Sequence, residues 1–129
     1  MSRPAREKGV VWIIERQHWP RAYLMAELME RGFGARGFAL LSEAAALLRT
    51  GTASRPDAIV LELSGQYVEP RLLDAILESG IPVILLKRRL DPQEKMNKPY
   101  GFAAEMARPF TIGAVADKVE EIAAGRVRG

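Results

Sequence analysis

Three short apolar runs rich in β-branched residues constrain the fold of this chain more than any other feature. They occupy residues 10–14, 58–62 and 81–86, and each ends at charged residues. A strand covered on both faces of a sheet needs a nearly continuous apolar sequence rather than an alternating one. The runs therefore predict three buried strands, and Pro82 is acceptable in the third because it lies near the start.

Two weaker strands are also predicted, one between the first and second runs and one after the third. Residues 33–40 contain Gly34 and Gly37, which weaken a strand and place it near an edge of the sheet. Residues 102–107 form the last candidate strand.

The segments between the strands carry apolar residues at helical spacing. Serine and threonine cap helix N-termini, and proline is accepted in the first turn. We predict helices that begin near Pro20, Ser42, Pro70 and Thr111, with Ser42 and Thr111 as caps, and a short helix at 91–98.

The elements thus alternate as strand and helix five times. Parallel strands need crossover connections, which are right-handed, so this order predicts an α/β fold with helices on both faces of a five-stranded sheet. The expected arrangement is the flavodoxin-like, doubly wound sheet of strand order 2-1-3-4-5. Its functional crevice lies at the carboxyl ends of the strands, where the order reverses.

The 129 residues, 48% of them hydrophobic, suffice for one domain, which we place at 9–125. Nineteen Lys and Arg against sixteen Asp and Glu give a net charge of +3. Each tail, 1–8 and 126–129, carries +2, which leaves −1 for the domain. We therefore expect two short flexible tails and no direct binding of nucleic acid.

Several other classes of protein are excluded by composition. The chain has no cysteine, which rules out a disulfide framework, thiol catalysis and cysteine-ligated zinc. His18 is the single histidine, so one chain cannot form a two-histidine metal site. No apolar run approaches the roughly 20 residues of a membrane span, and a cytoplasmic protein is expected.

Charged residues collect where the predicted strands end. Glu15 and Arg16 follow the first strand, Glu62 ends the third, Lys87 follows the fourth and Arg108 follows the fifth. The carboxyl ends of parallel strands lie at one edge of the sheet, so these two acids and three bases are predicted to share a pocket.

Three short motifs occur in order along the chain. Pro-Asp at 56–57 is followed five residues later by Glu62 at a strand end, Ile-Pro-Val-Ile occupies 81–84, and Arg-Pro-Phe occupies 108–110. In this order and spacing the sequence, over residues 9–124, resembles the receiver domain of two-component response regulators. The resemblance implies the flavodoxin-like fold and a role in bacterial signal transduction.

Receivers have a pair of acidic residues after the first strand and a phosphate-accepting aspartate after the third. In this chain the first acidic position holds Glu15, but the second holds Arg16. The phosphoacceptor position holds Glu62, whose side chain is one methylene longer than that of aspartate.

The remaining functional positions of a receiver are a Thr or Ser after the fourth strand, a lysine after the fifth, and an aromatic residue three positions before that lysine. Here the hydroxyl position holds Lys87, the lysine position holds Arg108 and the aromatic position holds Glu105. Lys87 and Glu105 therefore stand at the two positions that switch conformation in receivers.

These replacements change the charge of the predicted pocket. Three carboxylates and one lysine give a receiver pocket a formal −2, which suits a hard divalent cation. The five residues here sum to +1, so we expect Mg²⁺ binding to be weak or absent, with no other cofactor. Our hypothesis is a stand-alone pseudo-receiver in which Glu62 pairs with Arg16, Lys87 or Arg108 in place of phosphorylation.

Other interpretations remain open. The charges could be a solvated loop cluster without a signalling role. The domain could accept phosphate through an unorthodox geometry. A third alternative is a small flavodoxin-like module or enzyme that binds an anionic metabolite through Glu15, Glu62, Lys87 and Arg108.

The resemblance also predicts a surface for protein partners. In receivers the fourth helix and the elements beside it mediate dimerisation and output contacts. Here Met96, Tyr100, Phe102 and Met106 supply apolar side chains in that region. We expect a non-enzymatic protein that binds a histidine kinase, an output protein or a second copy of itself through this face.

Overall fold

The computed structural model describes residues 8–51, 54–87 and 101–128, except for the side chains of 126–128. The predicted helix at 91–98 lies outside these residues. The described elements are, in chain order, β1 (Val10–Ile14), α1 (His18–Glu30), β2 (Gly34–Phe38), α2 (Leu41–Thr50), β3 (Ala58–Glu62), α3 (Pro70–Glu78), β4 (Val83–Lys87), β5 (Ala104–Ala107) and α4 (Ile112–Arg128).

The five strands form one parallel sheet of order β2-β1-β3-β4-β5. This confirms the predicted strand order and flavodoxin-like class. Ile14, at the end of β1, is in register with both Phe38 of β2 and Leu61 of β3. The order reverses at β1, so the crevice opens beside the carboxyl ends of β1 and β3.

Each face of the sheet has its own hydrophobic core. Val11 and Ile13 of β1 pack with α1 and α4, whereas Trp12 and Ile14 pack with α2 and α3. We call these the α1–α4 side and the α2–α3 side. Successive side chains of a strand point to opposite sides, so a residue's position along a strand determines which core it faces.

Two helix starts test the capping predictions. The Thr111 hydroxyl accepts a hydrogen bond from the Ala114 N–H at 3.0 Å, as predicted for a cap of α4. The prediction for Ser42 was wrong, because α2 begins one residue earlier at Leu41. The Glu43 carboxylate instead accepts the backbone N–H of Leu40 at 3.2 Å, which satisfies a donor that the helix leaves free.

Some boundaries also differ from the prediction. Helix α1 begins at His18, ahead of Pro20, and α4 continues to Arg128, past residue 125. Lys8, which we assigned to the tail, donates its N–H to the Gly32 carbonyl at 3.0 Å and pairs with Glu120 at 3.2 Å. It therefore belongs to the folded domain.

Two side chains of helix α1 lie against Gly37 of the edge strand β2. A Cβ atom at Gly37 would stand 2.7 Å from Met25 Sδ and 2.9 Å from Arg21 Cδ, so one of these side chains would have to move. Glycine at this position therefore leaves room for Arg21 and Met25 beside the sheet edge.

Among the helices that the structure describes, none has both the length and the apolar composition that crossing a bilayer requires.

Candidate functional site

Two glutamates are buried at the carboxyl ends of the central strands. Glu15 follows β1 and Glu62 ends β3, and they are 6% and 2% exposed. Each lies two residues after a core residue of the α1–α4 side, Ile13 and Val60 respectively. Strand alternation therefore directs both carboxyl groups toward α1 and α4.

The two carboxylate oxygens of Glu62 have different surroundings. Oε1 accepts a hydrogen bond from the Ser64 backbone N–H at 2.7 Å. Oε2 lies 3.9 Å from Nη2 of Arg108, which is an ion-pair distance, and it is buried without a hydrogen-bond partner. The second oxygen therefore depends on the charge of Arg108 for its stabilisation.

Glu15 accepts the Gln17 backbone N–H at 2.9 Å through Oε2. Burial raises the pKa of its carboxyl above the usual value, because desolvation penalises the charged form. The hydrogen bond from Gln17 opposes this change, the nearby charge of Glu62 adds to it, and Arg108 and Arg21 oppose it. Glu15 is consequently harder to ionise than an exposed glutamate.

A cavity of about 30 Å³ lies between these groups, enough for roughly two water molecules. Glu15, Glu62 and Arg108 contribute its polar lining, and apolar side chains form the remainder. We call these three residues the buried carboxylate site. The apolar lining includes Ile13, Leu24, Val60, Leu86, Phe110 and Val115.

Arg108 is the cation of this site. Its side chain is about half exposed, and its guanidinium lies 5.8 Å from the centre of the Phe110 ring. Its backbone N–H donates to the Lys87 carbonyl at 3.1 Å, which fixes the start of the chain segment after β5. One guanidinium thus faces two buried carboxyl groups.

Arg16 does not join the buried carboxylate site, contrary to prediction. It is exposed, and its guanidinium donates to the carbonyl oxygen of Gly65 in the loop after β3. The physical reason is that Arg16 comes one residue after Glu15, so its side chain does not share the side of the sheet that Glu15 faces and turns to the loop after β3. It links the loops after β1 and β3 rather than compensating Glu62.

Lys87 was also predicted to share the pocket, and this too was wrong. Its Nζ lies 2.6 Å from Oε1 of Glu105. Leu85 belongs to the core of the α2–α3 side and is in register with Glu105. Lys87, two residues after Leu85, therefore faces the same side as Glu105 and the opposite side from Glu62.

The predicted partner surface is only partly described. Met96 and Tyr100 lie outside the described residues. Phe102 and Met106 are half-buried and pack against the cores of the α2–α3 and α1–α4 sides respectively. Packing within the domain therefore buries much of the surface of Phe102 and Met106.

Arg21 is a residue of this region that sequence reasoning missed. Its Nη1 donates to the Glu15 carbonyl at 2.6 Å, so it fastens the first turn of α1 to the end of β1. The room for its side chain comes from Gly37 on the neighbouring strand. Gly37 is the sequence feature that could have indicated this contact. The contact itself, however, depends on how α1 packs against β2.

The donor set does not fit the Mg²⁺ ion that the resemblance to receivers implies. Such an ion takes oxygen ligands in an octahedral arrangement. Burial raises the pKa of Glu15, and the guanidinium of Arg108 already stands beside Glu62. Across residues 8–51, 54–87 and 101–128, no cluster of three His, Cys, Asp or Glu side chains is placed to hold a metal.

The sequence matches no family model and no curated protein at a significant level. Solved structures do match. The receiver domain of Francisella response regulator 1452 superposes with a TM-score of 0.77 at 19% identity, covering 92% of this chain and 98% of that chain.

Two further structures show the same architecture. A signal receiver domain of a histidine kinase from Syntrophus aciditrophicus has a TM-score of 0.72 at 24% identity, with 91% of each chain covered. A chemotaxis response regulator of Vibrio cholerae has a TM-score of 0.71 at 17% identity, covering 88% of this chain and 97% of that one. The structural class is thus the fold of response regulator receiver domains, as the sequence motifs indicated.

Proposed function

We propose that this chain is a pseudo-receiver that works in signal transduction through protein–protein contacts, without phosphorylation of its own. The observation that carries the proposal is the environment of Glu62, at the position where receivers accept phosphate. Its side chain is 3% exposed, one oxygen is hydrogen-bonded to a backbone N–H, and the other faces Arg108.

Phosphoryl transfer requires an accessible nucleophilic oxygen and room for in-line attack. The Glu62 side chain is 3% exposed and the cavity beside it is about 30 Å³, so its second oxygen offers little access to a phosphoryl donor. The guanidinium of Arg108 already provides Glu62 with an opposite charge. Both features favour a permanent ionic site over a phosphorylated one.

The same residues argue against a role for Mg²⁺. A divalent cation beside Glu62 would have to share the site with the guanidinium of Arg108, and two cations at such a distance repel each other. We therefore infer that the chain neither binds Mg²⁺ at this site nor needs it.

The Lys87–Glu105 ion pair adds a modest preference for one conformational state. Receivers change conformation at the two positions that these residues occupy here. A separation of 2.6 Å, with Lys87 only 16% exposed, ties the end of β4 to β5. Because the two switch positions carry opposite charges that attract each other, they favour one arrangement of β4 relative to β5.

A domain of this kind would act by binding. Its site charges interact with one another instead of being arranged around a substrate, so we infer that it is not an enzyme. The partner is a signalling protein such as a histidine kinase or an output protein, and the control would come from binding.

The test is incubation of the protein with acetyl phosphate and Mg²⁺, followed by measurement of the intact mass. We expect no change. An adduct of one phosphoryl group, about 80 Da, that is absent from a Glu62→Gln variant would overturn the proposal. This variant keeps the side-chain shape and one acceptor oxygen but removes the nucleophilic carboxylate, so it is a suitable control.

A further inference from the structure

The buried carboxylate site contains more negative than positive charge. Glu15 and Glu62 are 6% and 2% exposed, and Arg108 is the cation at ion-pair distance from Glu62. With both acids ionised, these three side chains carry a formal net charge of −1. This charge is costly where it lies, because a cavity of about 30 Å³ holds too little water to hydrate it.

One oxygen of this site needs a hydrogen-bond donor. Among the described residues no donor reaches Oε2 of Glu62, and the guanidinium of Arg108 stands 3.9 Å away, beyond hydrogen-bond distance. Glu15 accepts the Gln17 N–H through its own Oε2, so its Oε1 can carry a proton. A protonated Glu15 has an O–H donor and would supply the missing bond, directly or through a water in the cavity.

The charged groups that act on Glu15 come from three elements. Burial, together with Glu62 at the end of β3, raises the pKa of Glu15. A backbone hydrogen bond, Arg108 after β5 and Arg21 of α1 oppose this change, but the net direction is upward. Helix α4 contributes only apolar side chains to the lining of the cavity. One proton on Glu15 therefore removes the excess charge and provides the missing donor at once.

A proton differs from other cations in its effect on this site. A metal ion or an ammonium group would stand as a second positive centre beside Arg108, and the two would repel each other. A proton on Glu15 instead gives a neutral acid, which needs almost no additional space and gains a donor. The small cavity and the guanidinium of Arg108 thus both favour a proton over a larger cation.

We propose that the buried carboxylate site binds one regulatory proton, which Glu15 takes from solvent and shares with Oε2 of Glu62. Uptake changes the net charge of the three side chains from −1 to 0 and weakens the attraction that holds the guanidinium of Arg108. Arg108 is about half exposed and begins the segment that leads into α4, so its release alters a surface that a partner can contact. This inference rests on the proposed function, because it supplies the input that phosphorylation does not provide.

The first test is an NMR titration of the side-chain carboxyl carbons of the whole protein between about pH 4 and 8. We expect the pKa of Glu15 to exceed the pKa values of the exposed glutamates in the same spectrum. A Glu62→Gln variant should lower the pKa of Glu15, because it removes a nearby negative charge, and an Arg108→Met variant should raise it. Titration of Glu15 together with the exposed glutamates, or a pKa that neither variant changes, would overturn the proposal.

Two control variants separate the site from general effects of charge. Lys87→Met removes a cation from the other side of the sheet and should leave the pKa of Glu15 unchanged. Arg108→Lys keeps the positive charge and should hold the pKa of Glu15 closer to the wild-type value than Arg108→Met does. Equal effects of Lys87→Met and Arg108→Met would contradict the proposal. If Arg108→Met does not fold, Arg108→Lys and Glu62→Gln still provide the comparison.

The second test measures the accessibility of Arg108, which a merely structural proton would not change. A Glu15→Gln variant imitates the neutral acid at about pH 7.5, where the wild-type carboxyl group is ionised. Phenylglyoxal, which modifies guanidinium groups, should label Arg108 severalfold faster in this variant than in the wild type. Arg71, which is 87% exposed, should react equally in both proteins and serves as the internal control. Equal labelling of Arg108 in the two proteins would overturn the proposal.

The proton site and the proposed function can fail separately. A phosphoryl adduct after treatment with acetyl phosphate would disprove the proposed function. It would leave the titration of Glu15 intact, since that titration is measured without a phosphoryl donor. An unmodified mass together with an ordinary pKa of Glu15 would disprove the proton site alone.

Discussion

The buried carboxylate site and the Lys87–Glu105 ion pair lie in the same sheet but on opposite sides of it. In the first, two buried carboxyl groups share one half-exposed guanidinium, and one oxygen lacks a hydrogen-bond partner. In the second, one acid and one base stand 2.6 Å apart, and Glu105 is 45% exposed.

The difference shows how burial changes the role of a charge. In the ion pair Lys87 is 16% exposed, but the 45% exposed carboxylate of Glu105 can recover hydration when the pair separates, so the pair contributes little free energy. The buried carboxyl groups cannot, so the cation beside them matters more, and burial raises the pKa of Glu15, whose ionisation therefore opposes folding. The two regions should therefore respond differently to charge removal and to pH.

The largest effect is expected from removal of Arg108. An Arg108→Met variant removes the cation at ion-pair distance from Glu62 and one of the two that act on Glu15, and should lower the free energy of unfolding at pH 7 by about 2 kcal/mol. Urea unfolding at several pH values would measure it. The loss should shrink at acidic pH, because Glu15, whose pKa burial already raises, can take up a proton.

The control is Lys87→Met, which removes a cation of similar size from the other region. Its cost should be below about 1 kcal/mol, since the remaining Glu105 is hydrated. If Lys87→Met were the more destabilising of the two, the distinction between the regions would fail.

A smaller effect is expected from Glu15. Its raised pKa means that the folded state binds a proton more tightly than the unfolded chain does. Its contribution to stability is therefore complete below the ordinary glutamate pKa and is lost as pH rises through the raised value. A Glu15→Gln variant, which cannot ionise, should be more stable than wild type at pH 7 by on the order of 1 kcal/mol.

This advantage should disappear as the pH falls toward about 4, where the wild-type carboxyl group is also neutral. The amide oxygen of the variant retains an acceptor for the Gln17 N–H. A difference between the two proteins that does not vary with pH would mean that the substitution acts through packing and not through ionisation.

The smallest effect concerns the coupling across the ion pair. A double-mutant cycle with Lys87→Met and Glu105→Gln should give a coupling of about 0.5 kcal/mol that decreases in high salt. Thermal unfolding of the four proteins at low and high NaCl would measure it. A coupling above about 2 kcal/mol would place this pair in the energetic class of buried sites.

Much of the fold was predictable because parallel strands buried on both faces need continuous apolar sequence. The run at 58–62 became β3, and the order of elements restricted the topology. Glu15 and Glu62 were predictable for the same reason, since each follows a buried run directly.

The partners of the charged side chains were not predictable in this way. Glu62 is in register with Leu86, so Lys87, the next residue, faces the opposite side of the sheet. This placement depends on the register between strands, which the sequence pattern does not determine. Arg16 lies in a loop, where a carbonyl oxygen on another loop is its partner. The exposure of Trp19 depended on which side of α1 packs on the sheet.

The central claim is that the residues at the strand ends, and not the fold, prevent phosphorylation. A variant with receiver-type residues at four positions, Arg16→Asp, Glu62→Asp, Lys87→Thr and Arg108→Lys, tests it most directly beside the wild type. Both proteins would be incubated with acetyl phosphate and Mg²⁺ and their intact masses compared. We predict a phosphoryl adduct on the variant and none on the wild type. The same outcome for both proteins, modified or unmodified, would contradict the claim.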